Sequence, residues 1–203
     1  MGYRRELGFF VYRDNGRFIL NMKKVILVIL FIGCGSSPRI QYDGDLNDDG
    51  KWHGIGIVTY PSGETWKGQF KDGKPYNGQG VYMYPDNSKY KGEIIDGLKQ
   101  GNGNLFWSDD DIYEGSFKDD KFNGQGTLTQ FGGYKWVGEF KNGLPHGQCT
   151  FTSRDGTTYV GEFKEGLYHG HGKIIYPDGK EWEGEWQNDL PMPSLNSRGV
   201  RRW

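Results

Sequence analysis

Three stretches of the sequence carry side chains that could bind a metal or act as a nucleophile. His169 and His171 lie in a His-Gly-His-Gly stretch, residues 45–50 read Asp-Leu-Asn-Asp-Asp-Gly, and Cys34 and Cys149 are the two cysteines. Imidazole is a common zinc ligand, alternating acidic and amide oxygens are typical of calcium loops, and a thiolate is a nucleophile. Each stretch raises a chemical hypothesis that the surrounding sequence must support.

The histidines are better explained by a repeat than by zinc. One position of a unit that recurs every 23 or 24 residues is polar in six successive copies: His53, Asn77, Gln100, Asn123, His146 and His169. Equivalent residues of successive hairpins lie about 9.5 Å apart, whereas zinc holds its nitrogen ligands at about 2.0 Å. We therefore interpret this position as a polar turn residue and predict no metal site there.

The acidic stretch is a weak calcium candidate. Asp45, Asn47, Asp49 and Gly50 have the spacing of the first half of a calcium loop. The twelfth position of such a loop is a bidentate Glu, and here it is Gly56. The alternative is that these residues form the turn of the first hairpin.

The sequence contains no established catalytic motif. Its Gly-x-Gly pairs open no helix and no P-loop follows them, and the G-x-S-x-G, H-E-x-x-H and kinase signatures are missing. Cys149 stands where other units have a glycine, so we interpret it as a small buried thiol rather than a nucleophile. We predict a non-enzymatic protein without a cofactor, and keep an enzyme of unrecognised type as the least favoured hypothesis.

The N-terminal residues are typical of an export signal. Lys23 and Lys24 precede the apolar run from Val25 to Ile32, which Gly33 and Cys34 follow. The run is too short for a membrane span of about 20 residues. This arrangement resembles the lipobox of bacterial lipoproteins, which implies that the Cys34 thiol receives a lipid. An ordinary signal peptide with an incidental cysteine is the alternative.

This resemblance predicts the organisation of the N-terminus and the location of the protein. Residues 1–21 would be an extended or wrongly assigned start, with Met22 as the true one. Residues 22–33 would be the signal peptide and 34–41 a tether. The protein would then be exported and held at a bacterial cell envelope by its lipid.

The charge distribution disfavours nucleic acid as a partner. The net charge is -1 overall, and residues 1–34 carry +4, so residues 35–203 carry -5. Binding to nucleic acid depends on Lys and Arg that displace counterions from phosphates. A polybasic contact with anionic lipid is disfavoured for the same reason.

A repeated pattern of aromatic residues and glycines dominates the rest of the chain. Each unit has an aromatic residue at its first position, a glycine at its third and an apolar residue at its fifth. The units start at Tyr42, Trp66, Tyr90, Tyr113, Trp136, Tyr159 and Trp182. A second segment with Gly-x-Gly follows, and turn residues such as "YPDG" (176–179) end it. The two-residue period predicts that each unit is a β-hairpin.

The unit resembles the MORN (membrane occupation and recognition nexus) repeat, most clearly in "YVGEFKEGLYHGHGKIIYPDG" (159–179). The resemblance covers residues 42–189, as six full units and a partial seventh, with 190–203 as a flexible tail. It implies an all-β fold, an elongated single-layer antiparallel sheet of stacked hairpins with a groove. Since one hairpin is unstable alone, stacking of the aromatic columns must stabilise the array.

The predicted function follows from the surface of such a sheet. The sequence offers no second layer to cover the aromatic side, and an exposed apolar patch normally marks an interaction site. We predict that Tyr60, Tyr84 and Trp107 contribute to a binding groove, the alternative being that they close the core. The leading hypothesis is a lipid-anchored scaffold that binds a protein partner or itself; the second is a phospholipid-binding module at a membrane, which the family resemblance suggests.

Overall fold

The computed structural model describes residues 39–195 and the pairs 13–14, 17–18 and 201–202. Its strands are β1 (Arg13–Asp14), β2 (Arg17–Phe18), β3 (Gln41–Leu46), β4 (Trp52–Thr59), β5 (Thr65–Lys71), β6 (Lys74–Met83), β7 (Lys89–Ile95), β8 (Leu98–Phe106), β9 (Ile112–Lys118), β10 (Lys121–Gln130), β11 (Tyr134–Lys141), β12 (Leu144–Thr152), β13 (Thr158–Lys164), β14 (Leu167–Ile175), β15 (Glu181–Gln187), β16 (Leu190–Pro191), β17 (Ser194–Leu195) and β18 (Arg201–Arg202).

One open sheet contains 14 of these strands in chain order, from β3 to β16, and each strand is antiparallel to its neighbours. The short pairs β1–β2 and β17–β18 form separate two-stranded sheets. The prediction of an all-β, single-layer antiparallel sheet of stacked hairpins is confirmed. The sheet runs from Gln41 to Pro191, so β16 includes the first residues of the stretch predicted as a tail.

Two kinds of turn connect the strands. Within the second to seventh units, a two-residue turn has positive φ at both central residues, as at Asn142 (53°) and Gly143 (91°). This is the type I′ geometry, whose twist matches that of the flanking strands. Between units the turn is wider, and the Tyr60 N–H donates to the Glu64 carbonyl at 2.9 Å. The turns of one unit also bond to the preceding unit, since the Gly143 N–H donates to the Phe122 carbonyl at 2.9 Å.

The aromatic residues at the first position of four units are fully buried in the core. Trp66, Tyr90 and Tyr113 have no exposed surface, and Tyr159 is 1% exposed. Fifth-position rings contact them edge-on, as between Tyr113 and Phe117, whose centroids are 5.1 Å apart. A sheet with one layer is therefore held by rings that pack along its length.

Candidate functional site

The two glycines of each unit leave room for its first-position ring. The ring of Tyr113 lies across Gly115 and Gly126, which face each other on β9 and β10. A Cβ atom added at Gly126 would come within 2.7 Å of that ring. Glycine at these positions is thus required by the close approach of the ring to the backbone.

A residue that follows the turn covers the other face of the ring. Phe122 stacks on Tyr113 with centroids 3.6 Å apart, and Tyr168 stacks on Tyr159 at 3.8 Å. Lys99 takes this position in the third unit, with its Nζ 5.7 Å from the Tyr90 ring centroid. Sequence reasoning missed this column because its members differ in type, although each follows the turn at the same spacing.

The tyrosine hydroxyl groups close a β-bulge in four units. In each, the phenol donates to the carbonyl three residues ahead, at 3.0 to 3.1 Å: Tyr42 to Asp45, Tyr90 to Glu93, Tyr113 to Ser116 and Tyr159 to Glu162. The register of strand pairing shifts next to these carbonyls, as between Gly161 and Glu162. The hydroxyl therefore satisfies an acceptor that the bulge removes from the ladder.

Cys149 replaces the phenol in the fifth unit. This unit has Trp136 at its first position, and the Cys149 thiol donates to the carbonyls of Glu139 at 3.0 Å and His146 at 3.7 Å. Glu139 corresponds to the acceptor of the tyrosine units. Burial raises the pKa of the Cys149 thiol, which favours the neutral, donating form. The geometry supports the interpretation of Cys149 as a structural thiol.

The three residues predicted to line a groove differ in their surroundings. Tyr60 is 2% exposed, and its hydroxyl accepts the Met83 N–H at 2.9 Å. Tyr84 and Trp107 pack against the same core but keep part of their surface exposed. Tyr60 thus has the surroundings of a core residue, and binding through these residues stays a prediction.

A cation and a carboxylate lie beside Tyr84. The Lys99 Nζ is 5.3 Å from the Tyr84 ring centroid and 3.2 Å from Asp120 Oδ1. Burial, with smaller contributions from Asp120 and Asp86, raises the pKa of Tyr84 to about 12. At neutral pH the phenol of Tyr84 is therefore uncharged, and it lies beside the Lys99 side chain. The third ring of this column, Trp107, meets Phe122 edge-on, with centroids 6.0 Å apart.

The weak calcium candidate is an internally bonded turn. The Asn47 side-chain oxygen accepts the N–H groups of Asp49 at 3.1 Å and Lys51 at 2.9 Å, and its amide donates to Asp72 at 3.0 Å. Asp49 faces Lys51 at 4.0 Å. Among the described residues there is no cluster of three or more His, Cys, Asp or Glu placed to hold a metal. Calcium binding by Asp45, Asn47 and Asp49 stays untested.

The predicted signal peptide (22–33) and Cys34 lie outside the described residues. Within the described ranges, no helix has the length and apolar character needed to cross a membrane. Lipid attachment therefore stays a prediction.

The fold and its ring-lined face define a repeat protein of the scaffold or binding class. The MORN repeat matches seven segments: residues 42–65, 66–89, 90–112, 113–133, 136–158, 159–181 and 182–192. The chain belongs to the MORN repeat family. The matched segments start at the same residues as the units read from the sequence.

Comparison with other known proteins adds little to this assignment. No curated protein sequence matches the chain. One similar structure is the SAS-4 (dCPAP) TCP domain of Drosophila melanogaster in complex with a proline-rich motif of Ana2 (dSTIL), at 12% identity, 75% coverage of this chain, 82% of that chain and a TM-score of 0.38. Another is the TCP10 domain of Danio rerio CPAP in complex with a STIL peptide, at 13% identity, 71% and 74% coverage and a TM-score of 0.24. At these TM-scores the similarity establishes no shared ligand.

Proposed function

We propose that this MORN repeat array is a non-enzymatic scaffold that binds another protein through Tyr84 and Trp107. The observation that supports this is the pair of partly exposed rings on a core that the described residues cover with no second layer. Aromatic side chains with a packed base and a free edge are the usual anchors of protein interfaces. Lys99 beside Tyr84 adds a cation whose stem is already ordered by packing on the ring.

Alanine substitution of the two rings tests this function. The native partner is first captured by crosslinking in the membrane fraction and identified by mass spectrometry, and its affinity for the purified chain is then measured. We expect Tyr84→Ala and Trp107→Ala each to weaken binding by about tenfold or more, the size of an interface hot spot. Tyr134→Ala is the matched control, because Tyr134 is 41% exposed elsewhere on the sheet.

Circular dichroism decides between a binding role and a core role. If the variants bind weakly and keep the wild-type spectrum, the rings contact the partner. Loss of the β-sheet signal in Tyr84→Ala would instead assign that ring to the core, and unchanged affinity in both variants would refute the proposal.

We further propose that acylated Cys34 holds this scaffold at a bacterial cell envelope, after export from a start at Met22. The support is the order of basic, apolar and small residues before Cys34. The mature protein should carry a diacylglyceryl mass on Cys34, and Cys34→Ser should abolish that mass and release the chain from membranes. An unmodified cysteine in the native membrane fraction would contradict this anchor.

Phospholipid binding by the array is the alternative function, suggested by the family. A chain that starts after Cys34 should not float with liposomes that contain anionic phospholipid, because residues 35–203 carry a net charge of -5. Flotation that salt does not abolish would favour the alternative.

A further inference from the structure

Among the described residues, the second strand of the last unit comprises only Leu190 and Pro191. β15 pairs with β14 along its whole length, from Glu181 to Gln187. On its other side, β16 pairs only with Trp186 and Gln187. The Met192 N–H donates to the Glu185 carbonyl at 2.7 Å. Because alternate residues direct their backbone groups to the same side, those of Glu183 and Glu181 point to this open edge.

The first-position ring at this edge is more exposed than in three of the complete units. Trp182 is 37% exposed, whereas Trp66, Tyr90 and Tyr113 at the same position have no exposed surface. Beside it is a pocket of about 980 Å³, which Ile174, Trp182, Trp186 and Met192 help to line. Tyr42 and Trp136 at this position are half-buried, and Trp182, beside the open half of β15, is exposed.

The outer face of the open edge is acidic. Glu181, Glu183 and Glu185 alternate along β15, and one lysine faces them, with Lys173 Nζ 2.8 Å from Glu181 and 3.7 Å from Glu183. Pairing of β15 with β15 of a second copy would bring these carboxylates together, and like charges directly opposite are destabilising. The other open edge of the sheet, β3, carries Asp43 and Asp45 at its outward positions. Like charges thus disfavour pairing between copies of the chain.

We propose that the open half of β15 binds an extended, basic segment of another protein as an additional antiparallel strand. The segment would have a small residue opposite Gly184, an apolar residue opposite Trp182, and Lys or Arg opposite Glu181 and Glu183. β14 already meets β15 in this way on the opposite side, where Gly172, Lys173 and Ile174 pair with Gly184, Glu183 and Trp182. Main-chain hydrogen bonds would supply affinity and the alternate side chains specificity. This surface is separate from Tyr84 and Trp107.

A designed peptide tests the proposal on the full chain. The probe is a nine-residue peptide that begins Gly-Lys-Ile-Lys, so that these residues lie opposite Gly184 to Glu181 and leave the Met192 contact with Glu185 in place. The comparison peptide has Glu in place of each Lys. Binding is followed through the indole N–H signal of Trp182 in NMR spectra, assigned with Trp182→Phe. We expect saturable binding of the basic peptide that weakens with salt, and none of the acidic peptide.

Substitutions on β15 and on an interior strand distinguish binding at this site from non-specific electrostatic attraction of the basic peptide. Glu183→Gln should weaken binding of the basic peptide by up to about fivefold, the effect of one cross-strand charge pair. Glu114→Gln is the matched control, because Glu114 has the same unit position on β9, between two paired strands, and should change nothing. Tyr84→Ala should also leave peptide binding unchanged, so a failure of the proposed function would not hide this result.

Four outcomes would overturn the proposal. These are equal binding of the basic and acidic peptides, no perturbation of Trp182 by either, stronger peptide binding after deletion of residues 196–203, and sedimentation as a dimer that Glu183→Gln strengthens. The third would show that the chain's own tail occupies the edge, and the fourth that a second copy does.

Discussion

The fifth unit has Trp136 where other units have tyrosine, and Cys149 where they have glycine. We predict that the effects of substitutions at these two positions on the free energy of unfolding are strongly coupled. Cys149→Gly removes the donor to the Glu139 carbonyl and leaves a partly buried acceptor without this partner, which costs about 1 kcal/mol. A strand glycine adds about 0.5 to 1 kcal/mol, so the single substitution should destabilise the chain by about 2 kcal/mol. Trp136→Tyr alone should also be destabilising, because the Cys149 sulfur lies over Gly138, where a tyrosine ring would lie.

The double variant Trp136→Tyr/Cys149→Gly recreates the arrangement of the sixth unit, in which the Tyr159 hydroxyl donates to the Glu162 carbonyl. We expect its stability to return to within about 1 kcal/mol of wild type, which, set against the loss of about 2 kcal/mol in Cys149→Gly alone, means a coupling of at least about 1 kcal/mol. Urea denaturation followed by circular dichroism measures the cycle, and equal m-values would show that the variants unfold as the same unit. Additive effects of the two substitutions would refute the idea that the thiol replaces the phenol.

Three further predictions concern the packing of the rings. Burial raises the pKa of Tyr60, Tyr84, Tyr113 and Tyr168 from 10.0 to about 12. The unfolded chain therefore loses these protons at lower pH than the folded chain, so this contribution to stability is complete below pH 10 and is lost as the pH rises to 12. Urea midpoints should fall over the same pH range in which absorbance at 295 nm rises. Gly126→Ala should lower the free energy of unfolding by about 1 to 3 kcal/mol, because its Cβ would meet the Tyr113 ring. Its control, Thr127→Ala on the outward face, should change stability by less than about 0.5 kcal/mol. Equal effects would contradict the requirement for a glycine beneath the ring. Asp120→Ala should cost about 1 kcal/mol more than Asp110→Ala in the same urea titration, because it also removes the acceptor of the Lys99 N–H at 2.8 Å. Asp110 is the matched control, since it lies in an exposed turn with a similar positive φ (69° against 67°).

The sheet could be predicted from the sequence because its signal is repeated seven times. Aromatic residues two positions before a glycine, at spacings of 23 or 24, specify both the strand period and the position of the core. The column of Phe122 and Tyr168 could not be found in the same way. In units with a first-position tyrosine this position carries an aromatic ring or, at Lys99, a long side chain, whereas the second and fifth units, which start with tryptophan, have Pro75 and Pro145 there.

The candidate groove shows a different limit of sequence reasoning. Tyr60, Tyr84 and Trp107 occupy one column, so the sequence treats them as equivalent. Their burial depends on the neighbouring unit: the Tyr60 hydroxyl reaches the Met83 N–H of β6, whereas Tyr84 meets the Lys99 stem. Contacts between units, which vary from copy to copy, thus decide which ring of a column is available for binding.

The three units with tryptophan at the first position show that each repeat needs a hydrogen-bond donor or a changed register at the fourth-position carbonyl. A tryptophan has no hydroxyl group, so the fourth-position carbonyl needs another partner. Cys149 supplies a thiol in the fifth unit, and the Met192 N–H donates to Glu185 in the seventh. In the second unit the register shift falls one residue later, between Gln69 and Phe70, so that Gln69 stays in register opposite Asn77.

The residue types at these positions differ between units, but they are constrained by the need to satisfy the fourth-position carbonyl. A partly buried carbonyl at the bulge without a donor would cost about as much as one lost hydrogen bond. The adjacent units would share the loss, because in a repeat array each unit contacts only its neighbours. In the seventh unit the backbone itself supplies the donor, because the Met192 N–H bonds to the Glu185 carbonyl just after β16. The backbone groups of Glu181 and Glu183 have no such contact with β16, and it is to this part of β15, beside Trp182, that we propose another protein adds a strand.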